Sequence, residues 1–544
     1  MQAGDNKRYQ VIIVGAGPVG VALAIDLAER GITCALIERR TGVQHIPKGQ
    51  NLTQRTLEHF RIWGIADALR AERVMPADFA IGGVTVYESL IGEYWAAPPG
   101  REAVQDFFRE KNERLPQYKT EEVLRRKLAT LPNVDRLFGW TATSVAQDAA
   151  GVTVEIGNPD GEKRTLNAAY AVGCDGAKSL VRDAAGIEKG GIDFDQVMAL
   201  VVFRSRELHD ILKRLPQRST YRIMRPDLNG YWQFFGRIDV GKGWFFHAPV
   251  PADATKETFD FKGLLQEAAG RPFACEIDYV GFWDLRVSIA DRYRTGRLFI
   301  AGDSAHSHPP YGGFGLNNGL EDAINLSWKL SAVLKGWGGD ELLQSYSDER
   351  AAVFNDIGRN IIADNIESDR VFLDRYNPHR DRAEFEREWT ARNPDDGTKV
   401  GSYVPNYEGS SVVAGPPGAV CGAHGTHMAK ARPGHHLAPL ALASGENAFD
   451  ALGRDFTLIA FGARESVEAL AASAAQAKVP LKILRDSSEE ARQAYGATLI
   501  LVRPDQHVAW CGETAPDDCA ALWTRLTGRV PGQRAIAALN AASV

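Results

Sequence analysis

Cysteine is scarce in this chain: six in 544 residues, with no Cys-x-x-Cys pair. That scarcity speaks against a disulfide framework and against a zinc ribbon. Charge of one sign is not in excess either. Lysine plus arginine number 63 against 69 aspartates and glutamates, a net charge of −6, so no large basic surplus calls for nucleic acid. Long hydrophobic runs are missing too. The apolar stretch Val11 to Ile25 is too short for a bilayer, contains three glycines and a proline, and ends at Asp26. No targeting segment is recognisable, and the polar first ten residues (MQAGDNKRYQ) read as frayed. These absences predict a cytoplasmic enzyme with neither nucleic acid nor membrane as partner. What is present suffices for a large core, 44% hydrophobic and 24% charged residues, and the length suggests about three domains.

The most informative N-terminal segment is YQVIIVGAGPVGVALAIDLAERGITCALIERR. Val11–Val14 is a β-branched run of the kind a central parallel strand needs. Gly15, Gly17 and Gly20 follow in G-x-G-x-x-G spacing, with Pro18 and Val19 between them, and a helical apolar pattern comes next. A second apolar run, Thr33–Ile37, ends in Glu38. Gly15 permits the sharp turn, Gly17 lets backbone approach a pyrophosphate, and Gly20 lets the helix lie close on the sheet. Glu38 is placed to accept hydrogen bonds from ribose hydroxyls. The strand before, the helix after and the acid at the second strand's end point to dinucleotide binding. They do not decide between FAD and NAD.

Two later segments bear on that choice. In YAVGCDGAKSLVRDAAGI a short strand, Ala171–Cys174, runs into Asp175-Gly176 and a helix carrying Ser179 and Arg182. In GRLFIAGDSAHSHPPYGGFGLNNGLEDAINLSWKL a strand, Leu298–Ala301, runs into Gly302-Asp303, then a Gly/Pro-rich loop, then a long helix expected near Asn317 or Asn318. With GAGPVG at 15–20, CDGAKSLVR at 174–182 and the motif at 301–330, the sequence resembles the FAD-dependent aromatic hydroxylases. These are the single-component flavoprotein monooxygenases that include p-hydroxybenzoate and phenol hydroxylases. The resemblance covers roughly the first 350 residues.

That resemblance implies FAD as cofactor, NADPH or NADH as co-substrate, and O2 with a small phenolic aromatic as reaction partners. Oxygen would reach the ring from a flavin C4a-hydroperoxide. It implies that Asp303 meets a ribityl hydroxyl, and that Pro309, Gly313, Gly315, Leu316 and Asn317 run beside the isoalloxazine ring. Asp175 belongs to a fingerprint tied to FAD and NAD(P)H, Gln117 stands where the family places a cofactor-touching glutamine, and Arg39 falls at the FAD ribose site. Lys48 replaces the usual arginine of a Pro-Arg-Ala triplet, so only a point charge is available there. Free N–H groups and the dipole of the helix after the loop would favour a negatively charged flavin.

Related phenol hydroxylases carry an ionisable residue five positions before an Arg-Thr pair; this chain has Gln50. Gln50 can orient a hydroxyl or nitro group but cannot act as a base. Either the base lies elsewhere or the substrate arrives already ionised, as a nitrophenol or nitrocatechol would, with nitrite released on hydroxylation; the second is favoured. The rival readings are a flavin-dependent halogenase, whose WxWxIP signature is absent, and a non-catalytic flavin-dependent ligand sensor.

Alternating patterns across about 190–285 predict mainly antiparallel strands that wall the substrate pocket. Tyr221, Trp232, Phe234, Phe246 and Trp283 are its aromatic candidates, and Arg222, Tyr231 and His247 its polar ones, joined by His308 of the flavin loop. His424, His427, His435 and His436 lack ligand spacing, so no metal is expected and a solvated linker is. The charged run at 379–392 reads as an exposed helix laced with ion pairs. The C-terminal α/β pattern resembles the thioredoxin-like domain of larger aromatic hydroxylases, with DALGRDFTLIAF the closest match but without the redox pair.

The expected architecture is α/β. A Rossmann-like FAD-binding domain (1–190 and 286–400, the latter with a helical region) encloses a mainly antiparallel β substrate domain (191–285). A linker (401–433) leads to the thioredoxin-like domain (434–544). The chain is expected to be a monomer or homodimer.

Overall fold

The computed structural model describes residues 8–310, 312–394 and 397–529, with Thr398 and Lys399 by backbone alone. Three sheets organise it. The first holds the parallel strands Leu298–Ile300, Lys163–Gly173, Arg8–Val14, Cys34–Glu38 and Val134–Phe138, in that spatial order. Its central strands are apolar on both faces because helices cover them. Pro18–Glu29 packs on one side together with the long helix Phe314–Leu334. Pairing begins earlier than expected: Arg8 and Tyr9 lie opposite Asn167 and Ala168, because the strand draws its polar start into the ladder. Residues 1–7 of the expected frayed end lie outside the described residues.

The second sheet has eight strands in the order His306–Ser307, Glu276–Ala290, Lys189–Arg204, Gly243–Val250, Gln233–Arg237, Thr220–Met224, Gly83–Tyr87 and Trp95–Ala96. It is antiparallel except where Thr220–Met224 runs parallel to Gly83–Tyr87. The two strands at 83–96, read from sequence as part of the FAD domain, therefore belong to this sheet, an assignment no local pattern could supply. The helices Glu207–Leu212 and Phe261–Ala269 cover its back face over a separate apolar core.

The charged run forms Arg382–Arg392, but Phe385 and Trp389 are buried against Tyr87 and Phe372, so the helix has an inner aromatic face as well as ion pairs. The segment expected as a linker carries paired strands Tyr403–Asn406 and Gly422–His424. Its histidines are not solvated as a group. His435 is buried against Glu408, His436 is half-buried against Glu58, and His427 stacks on Phe107; His424 alone is exposed, beside Asp356. Among the described residues no cluster fit for a metal occurs.

The third sheet is ordered Leu481–Arg485, Phe456–Ala460, Leu499–Val502, Val508–Gly512. The first two strands are parallel and the last two form an antiparallel hairpin, with Arg464–Gln476 and Cys519–Leu526 packed together alongside. This is the thioredoxin-like order. Cys511 and Cys519 are both free, and burial raises both thiols. Residues 530–544 lie outside the described part. No helix among the described residues is long and apolar enough to cross a membrane.

Candidate functional site

A cavity of about 1810 Å3 runs from the glycine turn after the first strand to the inner face of the second sheet. Its first end is built by backbone. Gly15 has φ +101°, and a Cβ there would stand 2.3 Å from the Cys174 carbonyl oxygen. A Cβ on Gly20 would stand 1.9 Å from the Gly15 carbonyl oxygen. Only glycine lets turn and helix close together. Gly17, the residue before the helix Pro18–Glu29, meets nothing within 4 Å of its Cβ position, and it lines the cavity. The helix N-terminus with its unpaired N–H groups thus faces open space, the setting a pyrophosphate needs. Glu38 accepts from Ala16 N–H (2.9 Å) and Arg40 N–H (2.9 Å), one bond per oxygen, which leaves lone pairs for a ribose. These features fit FAD.

Gly15, Gly17, Pro18, Val19, Glu38, Arg39, Lys48, Gln117, Asp175, Asp303, Pro309, Gly313, Gly315 and Leu316 all line the cavity. Gly20 and Asn317 do not; both support it from behind. Gln117 ties two elements by accepting from Gly49 N–H (3.2 Å) and donating to Glu121 (2.8 Å). Asp175 accepts from the Ser179 hydroxyl and from Val181 N–H, and burial pushes its carboxyl up. The long helix starts earlier than the sequence suggested. Gly313 turns left-handed (φ +72°) and the helix begins at Phe314, so the free N–H groups at its head belong to the stretch that borders the cavity. Asn317 instead braces this turn. Its side chain donates to Asn51 O (2.9 Å) and Gly313 O (2.6 Å), and accepts from Thr53 N–H (2.9 Å) and the Thr56 hydroxyl (2.7 Å).

The opposite wall is one row across six strands. Thr85, Arg222, Phe234, His247, Leu200 and Gly281 are successive cross-strand neighbours, and all six line the cavity. Strand alternation sends their sequence neighbours the other way. Tyr221 and Phe246, offered as pocket aromatics, are buried in the core behind the sheet. Phe245, which the sequence reading passed over, takes a place on the wall. Trp232, Phe234 and Trp283 do face the cavity. Tyr231 does not: its hydroxyl donates to Phe194 O (3.0 Å) and its ring packs edge-on against Phe194. It precedes the strand, where alternation gives no guide.

The polar groups of this wall are neutral or tied. His247 stacks on Phe234 at 4.9 Å, and burial pushes its imidazole down to about 3. His308 donates from Nδ1 to Pro309 O, and burial holds it down at about 4. Asp369 is paired with both Arg222 and Arg392. Gln50 is only 5% exposed, lines the cavity, and has neither amide atom hydrogen-bonded. Close to it in the chain fold stands a cation that the sequence reading missed. Arg114, 4% exposed, also lines the cavity, brought there because Glu113–Arg114 pairs with Asn51–Leu52. Burial pushes its guanidinium down to about 9, so it keeps its proton at pH 7.

Comparison with known proteins agrees with this geometry. A family model described as an FAD binding domain matches residues 8–360, and one described as the C-terminal region of aromatic-ring hydroxylases matches 430–530. The 4-methyl-5-nitrocatechol 5-monooxygenase of a Burkholderia species is 31% identical, over 96% of this chain and 98% of its own. The crystal structure of the flavin-dependent monooxygenase PieE with FAD and substrate superposes with a TM-score of 0.83 at 25% identity, covering 97% of this chain and 100% of that one. Aklavinone-11 hydroxylase with FAD and aklavinone gives 0.79 at 27% identity, with the same coverage.

Proposed function

The chain belongs to the FAD-dependent aromatic-ring hydroxylases, and from that membership we propose that its substrate is a phenol acidic enough to arrive as its anion, a nitrophenol or nitrocatechol. FAD, when bound, takes a hydride from NAD(P)H and activates dioxygen. The residues of this chain that would hold it are the glycine turn with Glu38 and Arg39, then Lys48, Gln117 and Asp175, and Asp303 with the loop from Pro309 to Leu316.

The reading is carried by Gln50, whose buried amide has no partner and borders a cavity whose buried histidines are too weakly basic to take a phenol's proton. Ionising an ordinary phenol of pKa near 10 at pH 7 costs about 4 kcal/mol. His247 and His308 are too weakly basic to help, and Asp369 is neutralised by two arginines. Such a pocket suits a ring that has already lost its proton, with Gln50 orienting the phenolate or nitro oxygens and the Phe234, Phe245 and Trp283 rings excluding water. At the attacked carbon a C–O bond forms and the C–N bond breaks; nitrite departs and a quinone remains. The 31% identity to a nitrocatechol monooxygenase along nearly the whole chain supports this reading.

A second reading rests on size. Small-molecule pockets are typically about 300–1,000 Å3, and a cavity of about 1810 Å3 leaves room beside a dinucleotide for a polycyclic phenol. NAD(P)H oxidation in air, measured with phenol, catechol, their nitro and chloro derivatives and a hydroxyanthraquinone, separates the two. Nitrite release with oxygenated product by mass is expected for the nitro compounds. Equal turnover of plain phenols, or none of the nitro compounds, would sink the proposal. Gln50→Ala should lower kcat/KM for the best phenol about tenfold while leaving flavin content unchanged.

A further inference from the structure

We propose that Arg114 recognises the anionic oxygen of the substrate, as a buried guanidinium on the cavity wall whose charge no carboxylate among the described residues neutralises. The inference rests on the phenolate reading above and assigns the cation that such a substrate requires.

Among the described residues, most other arginines of the interior are neutralised; Arg101, partly buried on the same cavity, is not, and its guanidinium lies over the Tyr403 ring. Arg350 pairs with Asp322, Arg503 with Glu349 and Asp505, Arg30 with Asp26, and Arg55 with Glu58 and Glu321. Arg237 lacks a carboxylate but is saturated by Arg218 O, His209, Gln217 and the Tyr221 hydroxyl, and it does not line the cavity. Arg114 differs on both counts. It donates only to two neutral oxygens, Asn51 Oδ1 and Arg237 O (3.0 Å), and its Nε has no partner. Its sequence neighbour Glu113 points away, into ion pairs with Arg70 and Arg73. A buried charge left without a counterion costs several kcal/mol, so such a residue marks a place where a ligand supplies the opposite charge.

Position narrows the ligand. Asn51, which accepts from Arg114, lies against Gly313 at the head of the flavin loop. On the other side the guanidinium stands 5.7 Å from the Phe245 ring, which itself packs on Phe234 and His247 of the sheet wall. Arg114 therefore spans the gap between flavin loop and wall, where an aromatic substrate must sit. Gln50, with both amide atoms unpartnered, lines the same cavity one residue before Asn51. A guanidinium and an amide together can hold a phenolate or nitro oxygen in one plane.

The test uses the FAD-loaded enzyme and two probes, 4-nitrophenolate above its ionisation and its uncharged ether 4-nitroanisole, each titrated by the change in flavin absorbance. The wild type should prefer the anion by at least about tenfold. Arg114→Gln should abolish that preference while 4-nitroanisole binding and flavin content stay unchanged, and Arg114→Lys should restore part of it. The inference is overturned if Arg114→Gln keeps the preference, or if it loses flavin and weakens both probes alike, which would place Arg114 on the cofactor. Should Arg114→Gln not fold, Arg114→Met decides: a preference kept in that uncharged variant overturns the inference, and a lost one upholds it. A wild type that binds both probes equally overturns this inference alone. A wild type that binds neither overturns the substrate reading, and this inference with it.

Discussion

Gln50 and His247 stand on different walls of the cavity, and neither carries charge at neutral pH. For His247 the cause is burial, which lowers its imidazole to about 3. The consequence for stability has a definite sign. An unfolded histidine titrates near 6.5, so below that pH the unfolded chain binds more protons than the native one and stability falls as pH falls towards 3. Denaturant midpoints measured at pH 7, 5.5 and 4.5 should decline, and the decline should be shallower in His247→Phe. For catalysis the expectation runs the other way: the acid limb of kcat/KM should move with the pKa of the phenol supplied, because burial holds both His247 and His308 far below 6.5. A limb fixed near 6.5 for every phenol would contradict the neutral assignment. Asp303 belongs to this scale as well. Its side chain is exposed to the cavity just after Gly302, whose left-handed φ (+63°) glycine adopts freely. A charge-assisted hydrogen bond is worth about 1.5–3 kcal/mol, so Asp303→Ala should weaken FAD binding roughly 10- to 100-fold by flavin fluorescence titration. A variant that purifies fully yellow and holds its flavin on dialysis would remove Asp303 from the site.

Among the elements, the glycine turn was legible from the chain because strand, turn, helix and second strand are consecutive and each residue type answers a local demand. The flavin-loop helix was legible in existence but three or four residues off at its start, since the left-handed Gly313 sets it. Asn317 illustrates why. The family resemblance placed it beside the flavin ring, yet its four hydrogen bonds run to Asn51, Thr53, Thr56 and Gly313, 264 positions away in the case of Thr53. It is the brace that holds the helix head against the Gln50–Thr53 segment. Asn317→Ala leaves Thr53 N–H and the Asn51 carbonyl unpaired in the interior, each costing about 1–3 kcal/mol. We expect a loss of about 2–4 kcal/mol in denaturant unfolding and faster amide exchange across 312–318. Loss of stability without faster exchange there would assign the effect elsewhere. Strand alternation, by contrast, separates Phe245 from Phe246 once the strand is known. It could not place Tyr231, which precedes Gln233–Arg237, nor Arg114, whose strand exists only because residue 51 pairs with it.

Across the whole molecule, the C-terminal sheet is fastened to the FAD domain by a buried ionic knot. Arg503 forks onto Glu349 (2.8 and 2.9 Å) and onto Asp505 (3.0 and 2.6 Å), while Lys329 and Asn325 of the long helix also donate to Glu349. Trp328 of the same helix donates to Asp505 (3.1 Å). The helix whose head borders the cavity is thus gripped along its length by a domain that bears no thiol pair. Removing one partner of a buried ion pair costs about 3–5 kcal/mol. Arg503→Met should therefore lower Tm of the entire protein in a single calorimetric transition and reduce flavin retention. A separate early transition, with the FAD domain unchanged, would show the domains to be independent. The sequence by itself determined the dinucleotide turn, the three motifs in their order, the thioredoxin-like tail and its missing redox pair. Those rest on short-range demands: positive φ, close backbone approach, and local apolar periodicity. Only the tertiary structure decided which polar groups are charged, neutral or unpartnered in the cavity. Burial and the pairing of residues far apart in the chain, Asn51 with Arg114 and Arg222 with Asp369, set those states, and no local pattern encodes them.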